Sequence, residues 1–532
     1  MRRTVIAALV VTLAAFGQRA SAQQWTGVSD KIAEIQRRPE FVHATFGVAA
    51  YDLDARNMVF GLNAEQLFTP GSTTKLLTTG TALGVLGADY RFHTPVYRLG
   101  PVRQGVLNGD LVLVATGDPN LSGRILGDTL GFTNEDHSYA GRGDSVAKAI
   151  GDPLLALRHL AQQVAQHGIK RVDGRVLVDV SLFPQGDREL GTGVVISPAI
   201  VNDNVVDLLI APGGKAGDQA RITVSPDLGV FRLVNELTTG ATGSRPAVQR
   251  TMTRDSSGLI TLRISGSYAA GGAPLVMSVP VPDPAEFAAR ALVAALRDAG
   301  VTVRDTTPSR DVVDFARLSA GYGDSTRIAE HVSLPLGEAV KVILKVSQNL
   351  HASTLPYIVG AVAGKTPGRG ALQAGFDTEH DFLSRAGLDL IAAAQGDGAG
   401  GAPGAFYSPA FMVQYLAYMA SRPDTAAFRR ALPILGRDGT LWNIQPQTPA
   451  AGHVFAKTGT FSLFDPLNRR QIITGKGLAG YMMTSGGRRL AFAIYANRIP
   501  FPANYPGDAA LLVGQALGEI AATMWGAPII SP

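Results

Sequence analysis

Ser72 and Lys75, three residues apart, carry the first chemistry legible in this chain. A serine hydroxyl is a poor nucleophile at neutral pH, so it needs an adjacent base and donors for the oxyanion that forms when it attacks a carbonyl. Lysine serves as that base when burial or neighbouring positive charge keeps it neutral. On a helix, a spacing of three places both side chains on one face within hydrogen-bond reach. A helix beginning near Ser72 aims free backbone N–H groups at the serine, and its positive end disfavours a charged Lys75. Ser-x-x-Lys alone is a weak signal, because Ser145-Val146-Ala147-Lys148 repeats it. That copy lies in the polar, Gly-rich stretch from Phe132 to Gly151, which reads as a mobile surface loop. The Gly-x-Ser-x-Gly elbow of α/β-hydrolases occurs nowhere in the sequence.

Two more polar clusters follow in order: Ser347-Gln348-Asn349 after a helical run, and Lys457-Thr458-Gly459-Thr460 on a strand-like run near the C-terminus. Taken singly, the first fits a helix-end cap and the second a solvated strand lysine. The ordered set resembles the active-site signature of penicillin-binding proteins and serine β-lactamases. The first two clusters stand 275 residues apart and the last two 110 apart. The long first gap resembles low-molecular-mass class C penicillin-binding proteins, the D-alanyl-D-alanine carboxypeptidase/endopeptidase family, in which accessory domains interrupt the catalytic one. Gly117 to Leu121, Asp173 to Phe183, Asp397-Gly398-Ala399-Gly400, Leu432-Pro433 with Gly436 to Leu441, and Gly480-Tyr481 extend the resemblance over roughly residues 30 to 525. Three features depart from the family pattern: Gln348 in place of Asp or Asn, Ala399 in place of Ser, and an apparent insertion from Phe461 to Lys476.

The resemblance implies a serine-type D-Ala-D-Ala carboxypeptidase, with endopeptidase activity as an option, acting on peptidoglycan stem peptides and inhibited by β-lactams. Ser72 is then the nucleophile and Lys75 its base. Ser347 relays the proton, Asn349 holds the peptide amide, and Lys457 supplies positive potential. Thr458, Gly459 and Thr460 line the substrate strand, and the N–H groups of Ser72 and Thr460 form the oxyanion hole. Two rivals are a β-lactamase or esterase on the same fold and a catalytically silent wall-binding protein.

Elements to hold these groups are visible in the periodicity. Residues 25 to 98 read as a helix, two strands and a long helix. Residues 97 to 315 turn to short β-rich segments, with helical periodicity returning at Pro284 to Ala299, Leu336 to Asn349 and Ala371 to Ala386. Val454 to Phe461, Leu478 to Thr484 and Leu490 to Asn497 read as three strands before a last helix near Gly507. The expected fold is α/β, an α+β sandwich of the penicillin-binding-protein/β-lactamase type interrupted by β-rich inserted domains. Its expected parts are a signal peptide at 1–22, a discontinuous catalytic domain at 23–98 and 316–532, and an accessory region at 99–315 built as two nested domains.

The leader is read from Arg2-Arg3, the apolar run Val5 to Phe16 and Ala20-Ser21-Ala22, a small-x-small cleavage site. That apolar run is too short for a bilayer, so export to the periplasm or beyond with no transmembrane anchor after cleavage is expected. The chain of 532 residues has no cysteine, which closes the lipoprotein route and any disulfide framework. Its formal charge of +5 falls to +2 without the leader's three arginines, so no nucleic-acid partner is implied. No cofactor is called for and no metal: Glu379, His380 and Asp381 lack a His-x-x-x-His pair and read as a solvated helix face. Gly364-Lys365-Thr366 ends like a phosphate loop, but Val359 stands where the first glycine belongs.

Overall fold

Between Val454 and Pro500, three apolar runs separated by two polar turns fold as an antiparallel meander in this computed structural model, which describes residues 25–140, 150–304, 313–365 and 368–527. The expected leader and Ser145 lie outside the described residues. The meander joins the two N-terminal strands in a five-stranded sheet. Its order is Asn57–Leu62, Thr45–Asp52, Arg489–Pro500, Arg470–Met483, Val454–Asp465, with every neighbour antiparallel. Alternation along each strand gives the sheet two apolar faces. Phe46, Val48, Leu478, Met482 and Ile494 share a core with Val28 and Ile32 of the helix at residues 25–36 and with Val513, Leu517 and Ile520 of the C-terminal helix Ala509–Trp525. On the other face, Tyr481 donates to Leu416 O in the helix Pro409–Ala420, and Tyr415 of that helix donates to Leu76 O. The result is the α+β sandwich expected from the sequence.

Leu76 belongs to the helix Thr74–Leu86, whose residues from Thr74 to Leu83 are all buried. A helix enclosed on all sides needs small residues where neighbours come close. A Cβ at Gly80 would lie 1.9 Å from Tyr415 Oη, and one at Gly84 would lie 2.3 Å from the Phe382 ring. Both glycines lower helix propensity by about 1 kcal/mol relative to alanine, a cost offset by this packing.

The residues read as an insertion are not a loose loop. The strands run on past Phe461 to Asp465 and resume at Arg470, with Ser462 opposite Ile473 and Asp465 opposite Arg470 after a bulge at Phe461/Ser462. The extra length is a projecting hairpin, with Leu463, Phe464 and Leu467 exposed near its tip.

The chain divides into two compact units. The first holds the described residues up to Ala88, Val340–Ser347 and those from Gly375 onward; the second holds Asp89–Ala339 and Gln348–Ala374. The second unit contains a four-stranded sheet ordered Val176–Asp179, Asp110–Val114, His93–Leu99, Arg327–Val332, and two three-stranded sheets. The helices Leu155–Gln166 and Pro284–Asp298 pack with these strands into one apolar cluster. The sequence reading missed the first of these helices, because its polar face, with Arg158, Gln162 and Gln163, follows the Gly-rich stretch directly. That stretch is also not all surface loop: Asp136 and His137 are 2% and 3% exposed, held by side-chain bonds to partners distant in sequence.

No helix among the described residues is long and apolar enough to cross a membrane.

Candidate active site

Thr69-Pro70-Gly71 stops the incoming chain and turns it into a single 3-10 turn, Gly71–Thr73, that leads into the helix Thr74–Leu86. Gly71 adopts φ 50°, a left-handed conformation that favours glycine, and a Cβ there would lie 2.6 Å from Thr460 N. From the opposite side, a Cβ at Gly459 would lie 2.1 Å from Pro70 O and 3.1 Å from Ser72 N. The two glycines thus let the serine turn and the Lys457–Thr460 strand meet backbone to backbone. Ser72 is half-buried in this seam.

One helical turn on, Lys75 is fully buried with its Nζ 2.7 Å from Ser72 Oγ. Lys75 Nζ also donates to Ala399 O at 3.1 Å, and Thr78 Oγ1 donates to Gly398 O at 2.9 Å. Asp397 makes this possible by accepting from the backbone N–H groups of Gly400 and Gly401, at 2.8 and 3.1 Å, which curls the segment toward the helix. The alanine at 399 is therefore tolerated, because its carbonyl and not its side chain meets the lysine. Sequence reading registered Asp-Gly-Ala-Gly as a match but had no signal that a backbone oxygen would be the working group.

Lys457 is fully buried and donates from Nζ to Thr458 O at 2.8 Å. Burial, with the like charges of Lys75 and Lys476, holds its amine well below the usual lysine range. Thr458 donates through Oγ1 to Thr440 Oγ1 at 2.8 Å. Thr460 is exposed, and its Oγ1 accepts from Lys476 Nζ at 2.7 Å. Burial pushes the Lys476 amine down to about 8, partly offset by Asp508. Lys476 is a third cation at this strand that the motifs do not reveal; in the sequence it stands only as the far end of the apparent insertion.

Ser347 belongs to the first unit and adopts φ 63°, a strained conformation for a residue with a Cβ. Just before it, Lys345 Nζ donates to both oxygens of Asp438 at 2.8 and 2.7 Å. A Cβ at Gly439 would lie 2.4 Å from Lys345 O, so the segment from Asp438 to Thr440 connects the Lys345–Ser347 run to Thr458. Asn349 belongs to the second unit, where it opens the helix Asn349–Ala363. Gln348 is the N-cap of that helix, its Oε1 accepting from Leu350 N at 2.7 Å. Ser72, Lys75 and the Lys457–Thr460 strand are thus brought together in one unit, with Ser347 in the same unit and Asn349 in the other.

Behind the serine helix, Glu379 is buried, contrary to the solvated face expected for Glu379-His380-Asp381; only His380 and Asp381 face outward. Gln395 Nε2 bridges Glu379 Oε2 at 3.3 Å and Thr78 Oγ1 at 3.2 Å. Burial pushes the Glu379 carboxyl up to about 7. The unfolded chain gives up this proton near pH 4.5 and the folded one near 7. The contribution to stability is therefore complete below the first value and lost as pH rises to the second, by about 3 kcal/mol at most. Glu379→Gln is expected to remove this loss, so its melting temperature should gain on the wild type between about pH 5 and pH 8. Parallel melting curves across that range would refute the buried acid.

Asp136, His137 and Asp203 place potential metal-ligating atoms within 4.8 Å of one another. Arg124 Nη2 donates to both carboxylates, so a guanidinium already supplies the positive charge there.

Half-buried Ser72 and buried Lys75 thus sit at a helix start packed against the edge strand of the five-stranded sheet. The chain belongs to the D-Ala-D-Ala carboxypeptidase 3 (S13) family, whose model matches residues 28–509. It is 28% identical over 506 residues to the D-alanyl-D-alanine carboxypeptidase of Actinomadura sp. (strain R39), covering 91% of this chain and 83% of that one. It is 24% identical to the D-alanyl-D-alanine carboxypeptidase DacB of Haemophilus influenzae, covering 87% of each. Penicillin binding protein 4 of Haemophilus influenzae has the same fold, with a TM-score of 0.67 at 22% identity, over 94% of this chain and 99% of that one. The family makes this chain a serine-type D-Ala-D-Ala carboxypeptidase.

Proposed function

We propose that Ser72 attacks the carbonyl of the penultimate D-alanine of a stem peptide while Lys75 takes the hydroxyl proton. The tetrahedral intermediate collapses by breaking the C–N bond to the terminal D-alanine, which leaves as a protonated amine. The remaining acyl group is held as an ester on Ser72 until water hydrolyses it. The observation that carries this reading is the 2.7 Å separation of Lys75 Nζ from Ser72 Oγ, with the lysine fully buried. Ser347 relays the proton to the leaving amine, and Asn349 holds the substrate amide. Thr458 and Thr460 receive the substrate carboxylate, and the backbone N–H groups of Ser72 and Thr460 stabilise the oxyanion. Burial holds the Lys457 amine well below the usual lysine range, and an arriving carboxylate favours its charged form.

A β-lactam enters the same step, but its leaving amine stays tethered to the acyl group after ring opening, so the ester is long-lived and the enzyme inhibited. The crystal of the Haemophilus influenzae penicillin binding protein 4 complexed with a novel β-lactam supports this reading. The substrate is peptidoglycan, reached after export through a leader at residues 1–22 to the periplasm or its equivalent, and residues 99–315 form the accessory region. Endopeptidase cleavage of cross-links uses the same acyl-enzyme with a peptide amine as leaving group.

Incubation with a defined cross-linked muropeptide followed by mass spectrometry separates the two activities. Loss of one alanine marks carboxypeptidase action, and separation of two stems marks endopeptidase action. An unchanged muropeptide, with folded protein, would sink both. Rapid turnover of a β-lactam would instead favour a β-lactamase.

A further inference from the structure

Lys476 lies directly opposite Thr460 in the antiparallel pairing of the strands Val454–Asp465 and Arg470–Met483. The register runs unbroken from Val454 and Met482 to Phe461 and Gly475, and the bulge that opens the projecting hairpin follows at Phe461/Ser462. Opposed residues of an antiparallel pair send their side chains to the same face, so the sheet itself holds the lysine beside the threonine. Lys476 Nζ donates to Thr460 Oγ1 at 2.7 Å. Both residues belong to the first unit, as do Ser72, Lys75 and Lys457.

The setting of Lys476 is unusual for a cation. It is 8% exposed, and the C-terminal helix lies over its stem: a Cβ at Gly514 would be 3.6 Å from Lys476 Cε. Among the described residues Thr460 is its one hydrogen-bond partner, and it forms no ion pair. Asp508 attracts it from beyond ion-pair distance, while its Oδ1 caps the C-terminal helix by accepting from Ala510 N at 2.8 Å and Leu511 N at 3.1 Å. Lys345, also buried, has both oxygens of Asp438 at 2.8 and 2.7 Å. Buried charges are ordinarily paired in that way, because desolvation otherwise disfavours them. Desolvation brings the Lys476 amine down to about 8, which leaves it mostly protonated at pH 7. A positive charge without a carboxylate beside it therefore stands behind the exposed Thr460.

The bond also fixes what Thr460 can do. An ammonium only donates, so Thr460 Oγ1 is the acceptor and its own proton is left for another partner. Among the described residues that proton has no acceptor. Thr458 is engaged differently, its hydroxyl proton directed to Thr440 Oγ1. Thr460 thus offers a free donor, strengthened by the cation behind it, and the group that such a donor fits is an anion.

We propose that Lys476 is a specificity-determining residue: through the hydroxyl of Thr460 it recognises the free carboxylate on the leaving amine of the substrate. This rests on the reading that Thr460 receives that carboxylate. The same device accepts any leaving amine that bears a carboxylate next to its nitrogen, whether a terminal D-alanine or a cross-linking residue, and rejects one whose carboxylate is amidated.

Two acyl-D-alanyl thioesters test this, one with a carboxylate on the leaving thiol and one with that carboxylate converted to a primary amide; the reactive thioester bond keeps both measurable. For each, kcat/KM is measured with wild type, Lys476→Met, Thr460→Val and the double variant, beside the melting temperature. Lys476→Met is expected to lower the preference for the carboxylate form about 10-fold, the low end of what one hydrogen bond to a charged group contributes, while kcat/KM for the amide holds. Thr460→Val should lower the preference as far, and the double variant no further, because the lysine acts through the hydroxyl. A merely structural role slows both thioesters alike, and an undiminished preference in Lys476→Met overturns the proposal. Additive effects of the two substitutions overturn it as well. Should Lys476→Met fail to fold, Lys476→Gln, which loses the charge but keeps a polar end, decides by the same ratio. A wild type that does not prefer the carboxylate form would instead sink the underlying reading of Thr460.

Discussion

Ser72→Ala is expected to abolish covalent labelling by a fluorescent penicillin, while Ser145→Ala labels like the wild type. Removing one oxygen from a half-buried residue leaves the fold intact, since the turn around it is held by backbone contacts with the Lys457–Thr460 strand. The effect is complete because acylation creates a bond to that oxygen, so nothing remains to be acylated. The readout is fluorescence on a denaturing gel, which reports only covalent adducts. A labelled Ser72→Ala protein, or an unlabelled Ser145→Ala protein that is folded, would reverse the assignment of the two Ser-x-x-Lys copies.

Lys75→Met should lower the acylation rate constant by roughly 100- to 10,000-fold, the range found when a general base is removed. Methionine is chosen because Lys75 is fully buried and packed on all sides. Alanine would add a cavity and confuse lost catalysis with lost stability, whereas methionine fills similar volume and takes away the amine. The bonds to Ala399 O and Ser72 Oγ vanish together, but Thr78 still binds Gly398 O and Asp397 still curls its own loop. Melting temperature should therefore change little while acylation collapses. Retention of more than about a tenth of the wild-type rate would mean that another group takes the serine proton.

The fold was legible where local rules dominate. Alternation gave the strands near Phe46, Met58 and Leu490, and helical spacing with a stop at Gly87 gave the helix after Ser72. The helix Leu155–Gln166 was missed because a half-polar helix beside a Gly-rich stretch looks like a continuation of loop. The Phe461–Lys476 segment is legible in the sequence as extra length, but only cross-strand pairing makes it a hairpin.

By itself the sequence determined that the Ser72 and Lys75 side chains meet through one helical turn and that Lys457 and Thr460 lie on one strand. Burial and long-range partners were decided by the tertiary structure. It turned Glu379 inward against Gln395, set Lys476 on Thr460, offered Lys75 the carbonyl of Ala399, and buried Asp136 and His137 from a stretch rich in polar residues. The physical reason is one of range. Periodicity, caps and turn chemistry act across about four residues, whereas desolvation and pairing depend on what a distant part of the chain places opposite.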